Sequence, residues 1–511
     1  MPALPHTRVN ETALPVAEVL EQARAAQAAW ATRSVRERLQ ILRRFRSELA
    51  AEAFALSATI PVAYTGSLHR TEADSLASEV LPLAEACRFL EREARFVLAP
   101  RKESNSNQAF WLRSVDVWVE RVPLGVVLLI APGNYPLFLA GAQALQALAA
   151  GNAVLWKPAP AGVACAHAMR VMLIASGLPP ELLTVLDAAP TAATACIAEG
   201  VDKVFLTGSA KTGDAVLHTL AEKATPAVME LSGCDAVFVL EGANLARVVD
   251  ALTFGLRLNG SATCMAPRRV FVARAVADKL AIALHSALAA LPPVRLTAST
   301  AAQLSECLED ARRNGAQVLL DGLAAAAEAG MSHAAGERIA GSAFAGASLV
   351  VDATSTMQIT RSDLFAPVLS VIAFRTVSMA IAMHRDCPYA LTAAIFGPDK
   401  EARAVASQLD VGTVILQDII VPTADPRVPF GGRKRSGFGV TRGREGLLEM
   451  TAPRAIVRQR SSSSVPYKPT SSAHSAFFAG YIQAAHAQGW RKRFEGFRAM
   501  AAAMPGLGKQ K

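Results

Sequence analysis

Cys264 stands in the run Asn259-Gly260-Ser261-Ala262-Thr263-Cys264-Met265-Ala266-Pro267, after a helical run at 244–258 and before a strand at 269–272. A thiol on such a loop can be offered to a cleft as a nucleophile, whereas one inside a helix or strand is a small buried hydrophobe. The other six cysteines (Cys87, Cys165, Cys196, Cys234, Cys307 and Cys387) fall in helical or strand-like runs, Cys234 excepted. Glu230 closes the apolar strand Ala227-Val228-Met229 and precedes Leu231-Ser232-Gly233. A partly buried carboxylate at the carboxyl end of a parallel strand has the place and the raised pKa of a general base, though a strand-end salt bridge uses the same residue type. Asn134, in the turn after Val126–Ile130, can aim its amide at a developing oxyanion or simply make the turn. Phe205-Leu206-Thr207-Gly208-Ser209-Ala210 reads strand, turn and helix start, where free N–H groups can hold a phosphate. Lys157 puts a cation at the end of another strand.

The seven cysteines are scattered singly, with no Cys-x-x-Cys pair and no His at a metal-ligand spacing. No disulfide scaffold and no metal site is expected, and a reducing cytoplasm is the expected compartment. Residues Met1 to Val16 carry prolines and charges but no apolar core of a secretory signal. The 511 residues hold 52 Lys and Arg against 43 Asp and Glu, a net +9, yet 52% are hydrophobic and only 19% charged. That composition folds and excludes a disordered polybasic chain. Residues 461–511 carry seven basic residues against Glu495 alone, so +6 of the +9 belongs to that tail and only +3 to the other 460 residues. A nucleic-acid partner is not expected.

These residues must be positioned by elements. From Val122 to Trp156 no residue is charged, a stretch longer than the roughly 20 residues that span a bilayer. Pro132-Gly133-Asn134-Tyr135-Pro136 and Gly151-Asn152 break it, so it reads strand, turn, helix, turn, strand, a buried βαβ unit. The alternation continues, with helices at 163–176, 210–222 and 244–258 and strands at 182–186, 203–206, 227–230, 236–240, 269–272, 317–320, 368–374, 393–396 and 412–415. The fold class is α/β, doubly wound, in more than one sheet. Residues 15–31, 34–57 and 70–98 show helical apolar spacing and form a helical lead-in, and 111–121 alternates like a strand hairpin. The Ala-rich 324–347 and Ser461 to Ser464 read as loops or linkers.

In this order and at these spacings the motifs resemble the aldehyde dehydrogenase superfamily over about residues 15–460. Asn134 stands 23 residues before Lys157 and Glu230 stands 34 before Cys264, both family intervals. Asp363-Leu364-Phe365-Ala366-Pro367 is similar to the Glu-x-Phe-Gly-Pro motif, and Pro429-Phe430-Gly431-Gly432-Arg433-Lys434-Arg435-Ser436-Gly437 to the C-terminal signature. The resemblance implies two doubly wound parallel-sheet domains and a small β oligomerisation element. The cofactor-binding domain would comprise 1–109 and 124–232, the catalytic domain 233–449, the oligomerisation strands 110–123 and 450–460, and a basic amphipathic extension 461–511. It implies that Cys264 attacks the aldehyde, that Asn134 and the Cys264 backbone N–H hold the alkoxide, and that Glu230 activates the water that hydrolyses the thioester. Lys157, Gly208 and Ser209 would hold the adenosine end of the cofactor, and Asp363 and Phe365 the nicotinamide ribose and ring.

The chain departs from the family pattern at several positions. Pro160 replaces the Glu of many NAD-using members three residues after the lysine, which leaves NAD and NADP both open. Asp363 is one methylene short of the usual Glu, Gly133 replaces Trp, and Ser232 and Cys234 alter the string after Glu230. Tyr135, Phe138, Met265 and Ile419-Ile420-Val421 are the candidate tunnel wall, which favours an apolar aliphatic or aromatic aldehyde, with Arg268 the exception. A CoA-acylating enzyme would lack the Glu that is present at 230, and a silent scaffold would not keep Cys264, Glu230 and Asn134 together. The strands at 111–121 and 454–457 imply a homodimer or homotetramer. In the tail, Phe478, Tyr481, Ile482 and Ala485, then Trp490, Phe494 and Phe497, repeat at helical spacing beside basic residues. They suit a membrane surface or a helix docked on protein, and Gly480, Gly489 and Gly496 weaken a free helix.

Overall fold

A computed structural model describes residues 15–61, 70–109, 112–329, 342–462 and 470–507. The leader reading of residues 1–14, Trp111, Ser463 and Ser464 lie outside the described residues. The chain forms two compact units, Met1–Pro100 with Glu120–Arg454, and Arg101–Val119 with Ala455–Lys511.

Among the described residues the first unit holds two small two-stranded sheets and two large ones. One runs 437–438, 227–231, 203–208, 126–130, 153–157, 183–185, every neighbouring pair parallel except Gly437–Phe438 against the strand of Glu230. Val126–Ile130 and Ala153–Lys157 are buried throughout, as an apolar run between helical layers must be, and Phe138–Ala150 is the helix between them, ended by Gly151 at φ 101°. The uncharged stretch is therefore a βαβ unit, and no helix of the described residues is long and apolar enough to cross a membrane. The chain starts this sheet at 126–130, builds outward through 153–157 and 183–185, then returns to build the other side from 203–208. That reversal opens a crevice at the carboxyl ends of 126–130 and 203–208.

The second sheet runs 317–320, 348–351, 368–374, 267–273, 235–239, 392–396, 413–416, parallel except for its first pair. Alternate residues serve opposite faces. Val237, Val239, Val270 and Val272 pack with Val248, Leu252, Leu280 and Leu284, while Phe238 and Phe271 pack with Leu304, Ala380 and Ala402 on the other side. Both sheets are thus doubly wound.

The lead-in helices are Val16–Thr32, Val35–Ala51 and Leu81–Val97, the second begun by a Ser34–Glu37 capping box. Between 70 and 98 the expected single helix is interrupted by a π-turn, Leu76–Val80, whose inserted geometry turns Glu79 inward. Three further expectations are corrected. The 324–347 stretch is not all loop, since Gly322–Glu328 is helical and Ser342–Ala345 pairs with Val294–Thr297. Cys387 lies in a bend before the strand Tyr389–Ala390 rather than inside an element. The 111–121 segment is not a hairpin but one strand, Val115–Pro123, which lies between Arg101–Lys102 and Thr451–Gln459 in a three-stranded sheet. In the second unit, Arg460 donates its backbone N–H to the Ser114 carbonyl at 2.7 Å, and the helices Ser472–His486 and Trp490–Ala503 pack on each other.

Candidate active site

Asn134, Lys157, Gly208, Ser209, Glu230, Cys264, Asp363 and Phe365 all line one cleft of about 700 Å³. Strand register explains half of this convergence: Lys157 is level with Ile130, Leu206 with Ile130 on the other side, and Glu230 with Thr207, so these positions form one row at the carboxyl edge of the first sheet.

Cys264 is half-buried in the turn that follows three consecutive left-handed residues, Asn259, Gly260 and Ser261, at φ 50°, 52° and 67°. Two of them carry side chains, and a backbone of that kind persists only where its surroundings hold it. Arg268 does so at one end, its two terminal nitrogens donating to Ser261 Oγ and Ser261 O, each at 2.6 Å. Its guanidinium is committed to the turn, so the arginine that stood against an apolar substrate is already used. Burial pushes the Cys264 thiol far up, Glu230, Asp235 and Asp363 push the same way, and Arg442 opposes them. The resting thiol is protonated, so a nearby acceptor must take its proton before it attacks.

Sequence reasoning missed the pair that fixes the other end of the turn. Arg70 and Glu79 form a buried ion pair. Glu79 Oε2 accepts from the backbone N–H of Leu137 (2.8 Å) and Phe138 (3.0 Å), and Arg70 Nη2 donates to Asn134 O (2.6 Å) and Asn259 Oδ1 (2.8 Å). One guanidinium thus joins the Asn134 loop to the Cys264 turn. Asn134 Nδ2 donates to Ala262 O at 2.9 Å, which orients the amide and leaves its second hydrogen for an oxyanion, and Tyr135 Oη meets Thr263 Oγ1 at 2.7 Å. Arg70 also stacks on Tyr135, 5.4 Å from its ring centre.

The carboxylate of Glu230 is buried. Its Oε2 accepts from Thr441 Oγ1 at 2.8 Å and its Oε1 has no partner among the described residues. Burial raises its pKa, with Arg442 and then the Thr441 hydrogen bond opposing. Arg442, also missed in the sequence, is buried at φ 60° between Phe430 (4.5 Å to the ring centre) and Phe138 (5.8 Å). It donates from Nη1 to Thr423 O at 2.7 Å, and its Nε is left unpartnered. Cys234 is not in the cleft; it is buried and its thiol hydrogen-bonds with that of Cys387.

At the far end Ser209 caps the helix Ala210–Ala221, its Oγ accepting from Thr212 N at 3.2 Å, so a helix N-terminus faces the cleft. A Cβ on Gly208 would make only ordinary contacts, at 3.6 Å and beyond, so packing does not demand glycine there. What its missing side chain leaves is room in the cleft. Lys157 is buried, its ammonium disfavoured by desolvation with Asp187 opposing, and exposed Pro160 supplies no carboxylate three residues further on. Asp363 accepts from the Ser232 hydroxyl, and burial raises it to about 6, against that hydrogen bond and Arg268. Among the described residues no group of His, Cys, Asp and Glu is placed to hold a metal ion.

Comparison with known proteins gives the family. The chain is 30% identical to a Mycolicibacterium smegmatis protein named "Putative succinate-semialdehyde dehydrogenase" specifying NADP(+), over 88% of this chain and 85% of the relative. It is also 30% identical to the 4,4'-diapolycopene aldehyde oxidase of a Methylomonas species, over 94% of this chain and 87% of the relative. The crystal structure of NADP-dependent glyceraldehyde-3-phosphate dehydrogenase from Bacillus halodurans, complexed with NADP, superposes with a TM-score of 0.75 at 27% identity, covering 87% of this chain and 91% of that one. The model of the aldehyde dehydrogenase family matches residues 7–456, and the chain belongs to that family.

Proposed function

We propose that this chain oxidises an apolar aldehyde, aliphatic or aromatic, to the carboxylic acid with NAD or NADP. The observation that carries the reading is the meeting in one cleft of a thiol, an oriented amide with a spare hydrogen and a carboxylate with an unpartnered oxygen, at Cys264, Asn134 and Glu230. Lys157, Gly208 and Ser209 hold the adenosine half of the dinucleotide, and Asp363 and Phe365 its nicotinamide ribose and ring. When bound, that ring supplies the hydride acceptor. Cys264 gives its proton to the free oxygen of Glu230, which passes it to solvent. The sulfur bonds to the aldehyde carbon as the carbonyl π electrons move onto oxygen, the alkoxide taking hydrogen bonds from Asn134 Nδ2 and the Cys264 backbone N–H. After oxidation the carbon is a thioester on Cys264. Glu230 takes a proton from water, the water oxygen adds to the thioester carbon, and the C–S bond breaks to release the acid and the thiolate.

The expected wall residues Tyr135, Phe138, Met265, Ile419, Ile420 and Val421 do not line the cleft of Cys264. The apolar substrate is supported instead by the commitment of Arg268 to Ser261, which leaves that guanidinium no free hand for a substrate carboxylate. One observation favours a second reading. The unpartnered Nε–H of Arg442, beside Phe138, would donate to a carboxylate on the substrate chain. The domain roles follow the two sheets, the first binding cofactor and the second carrying Cys264. Val115–Pro123 and Thr451–Gln459, with Ile456 and Val457 exposed, are the proposed contact of a homodimer or homotetramer.

The test is an aldehyde panel with NAD and with NADP, on wild type and Cys264→Ala, with product analysis. Reduced cofactor and free acid, lost by several orders of magnitude in the variant, are expected. Activity that survives the substitution overturns the site, acyl-CoA without free acid overturns the hydrolytic step, and no turnover with no cofactor binding overturns the enzyme.

A further inference from the structure

The helices Ser472–His486 and Trp490–Ala503 fold back on each other across the short link Ala487–Gly489. The glycines expected to weaken them are instead their seam. A Cβ on Gly480 would stand 2.5 Å from Met500 N and 2.9 Å from Gly496 O, and one on Gly496 would stand 2.7 Å from Gly480 O. The two backbones are in contact, and only glycine permits it. Gly489, at φ 85°, makes the turn between them.

With Gly480, Gly496 and Met500 used in the seam, the large side chains of the second helix point elsewhere. Trp490, Phe494, Phe497, Ala501 and Met504 recur at i, i+4, i+7, i+11 and i+14, one stripe along the helix. Trp490 is 74% exposed, and Phe494, Phe497 and Met504 are each 56% exposed. At 100° per residue Arg491 and Arg498 flank one edge of this stripe and Arg493 the other, while Glu495 lies on a different side. Arg491 covers the Trp490 ring at 5.5 Å, and among the described residues Arg491, Lys492 and Arg498 have no carboxylate partner.

We propose that the helix Trp490–Ala503 is a membrane-surface element that beds its aromatic stripe in the headgroup region of an anionic bilayer. Four cations against one carboxylate complement anionic headgroups, and aromatic rings with a polar edge suit the boundary between headgroup and acyl chain. A second copy of this chain is the poorer occupant, because a two-fold contact would set Arg491 and Arg498 against like charges. The proposal stands apart from the cleft chemistry.

The experiment is flotation of the full chain with vesicles of phosphatidylglycerol and phosphatidylcholine, and with phosphatidylcholine alone. Wild type should float with the anionic vesicles only and be released by high salt. Phe494→Ser with Phe497→Ser, and separately Arg491→Gln with Arg498→Gln, should each lower the bound fraction about tenfold, with oxidation of a water-soluble aldehyde and the circular dichroism spectrum unchanged. Flotation equal for wild type and both variants overturns the proposal. So does a drop in molar mass by light scattering in the variants without any vesicle binding by wild type, which would assign the stripe to a second copy.

Discussion

Thr441 Oγ1 donates to Glu230 Oε2 at 2.8 Å, and the other oxygen of that carboxylate faces no partner among the described residues. One oxygen is held and the other is left for a water or for the Cys264 proton. Removing the tether in Thr441→Val should cost about 1.5 to 3 kcal/mol of the charged form. Because burial already raises the Glu230 pKa, losing this opposing hydrogen bond raises it further. The ionised base is lost as pH falls through that pKa, so the acidic limb of the kcat profile should move to higher pH. The thioester should accumulate, seen as a burst of reduced cofactor before the steady rate, while Thr441→Ser restores the profile.

Arg70 should matter to activity although it sits outside the cleft lining. Arg70→Met leaves Glu79 buried without its cation, a change that destabilises by about 3 to 5 kcal/mol, and frees both Asn134 O and Asn259 Oδ1. Thermal unfolding should begin earlier. At a temperature where the variant is folded, kcat should fall more than KM changes, because what is lost is alignment of the amide with the thiol. Arg70→Lys, which keeps the charge but not the two-pronged reach, should recover stability more than rate.

Asp363 gives cofactor binding a pH dependence of its own. Its carboxyl is raised to about 6 by burial, so the charge proposed to hold the nicotinamide ribose is present above that pH and lost below it. The cofactor KM should therefore rise as pH falls through about 6, with aldehyde KM little affected. In Asp363→Asn the inflection should disappear and the KM stay high throughout.

Much of the cleft was legible because its parts are local. Cys264, Glu230, Asn134 and Lys157 each end or follow an apolar strand or helix whose period is plain in the sequence, and turn residues mark where each side chain emerges. Arg70, Glu79, Thr441 and Arg442 had no such signal. Arg70 reaches Asn259 across 189 residues and Thr441 reaches Glu230 across 211, so only the folded chain pairs them. Glu79 depends on a π-turn, which has no periodic signature, and the strand 115–123 was misread because alternation shows exposure of one face but not which partner lies alongside.

Pro160 sits exposed just past the strand of Lys157, where a carboxylate would oppose a 2′-phosphate and accept from the ribose hydroxyls. Pro160→Glu should lower kcat/KM with NADP by about tenfold or more, since 1.4 kcal/mol of added repulsion is enough, and should leave kcat/KM with NAD equal or improved. Parallel titrations of the two cofactors measure the ratio.

Arg442 separates the two substrate readings. It is buried between Phe430 and Phe138, and it opposes the rise in both the Glu230 and the Cys264 pKa. As counter-ion of the general base it acts on every substrate alike, so Arg442→Met should move the acidic limb of kcat to higher pH and slow all aldehydes by a similar factor. As the receptor of a substrate carboxylate it acts on KM, and the same change should raise KM for a short semialdehyde acid about tenfold or more, the loss of a charge-assisted hydrogen bond, while leaving hexanal and benzaldehyde unaffected. With an apolar substrate the first pattern is expected. Methionine fills the space between the two rings, so a loss confined to the semialdehyde cannot come from a cavity and would assign Arg442 to the substrate.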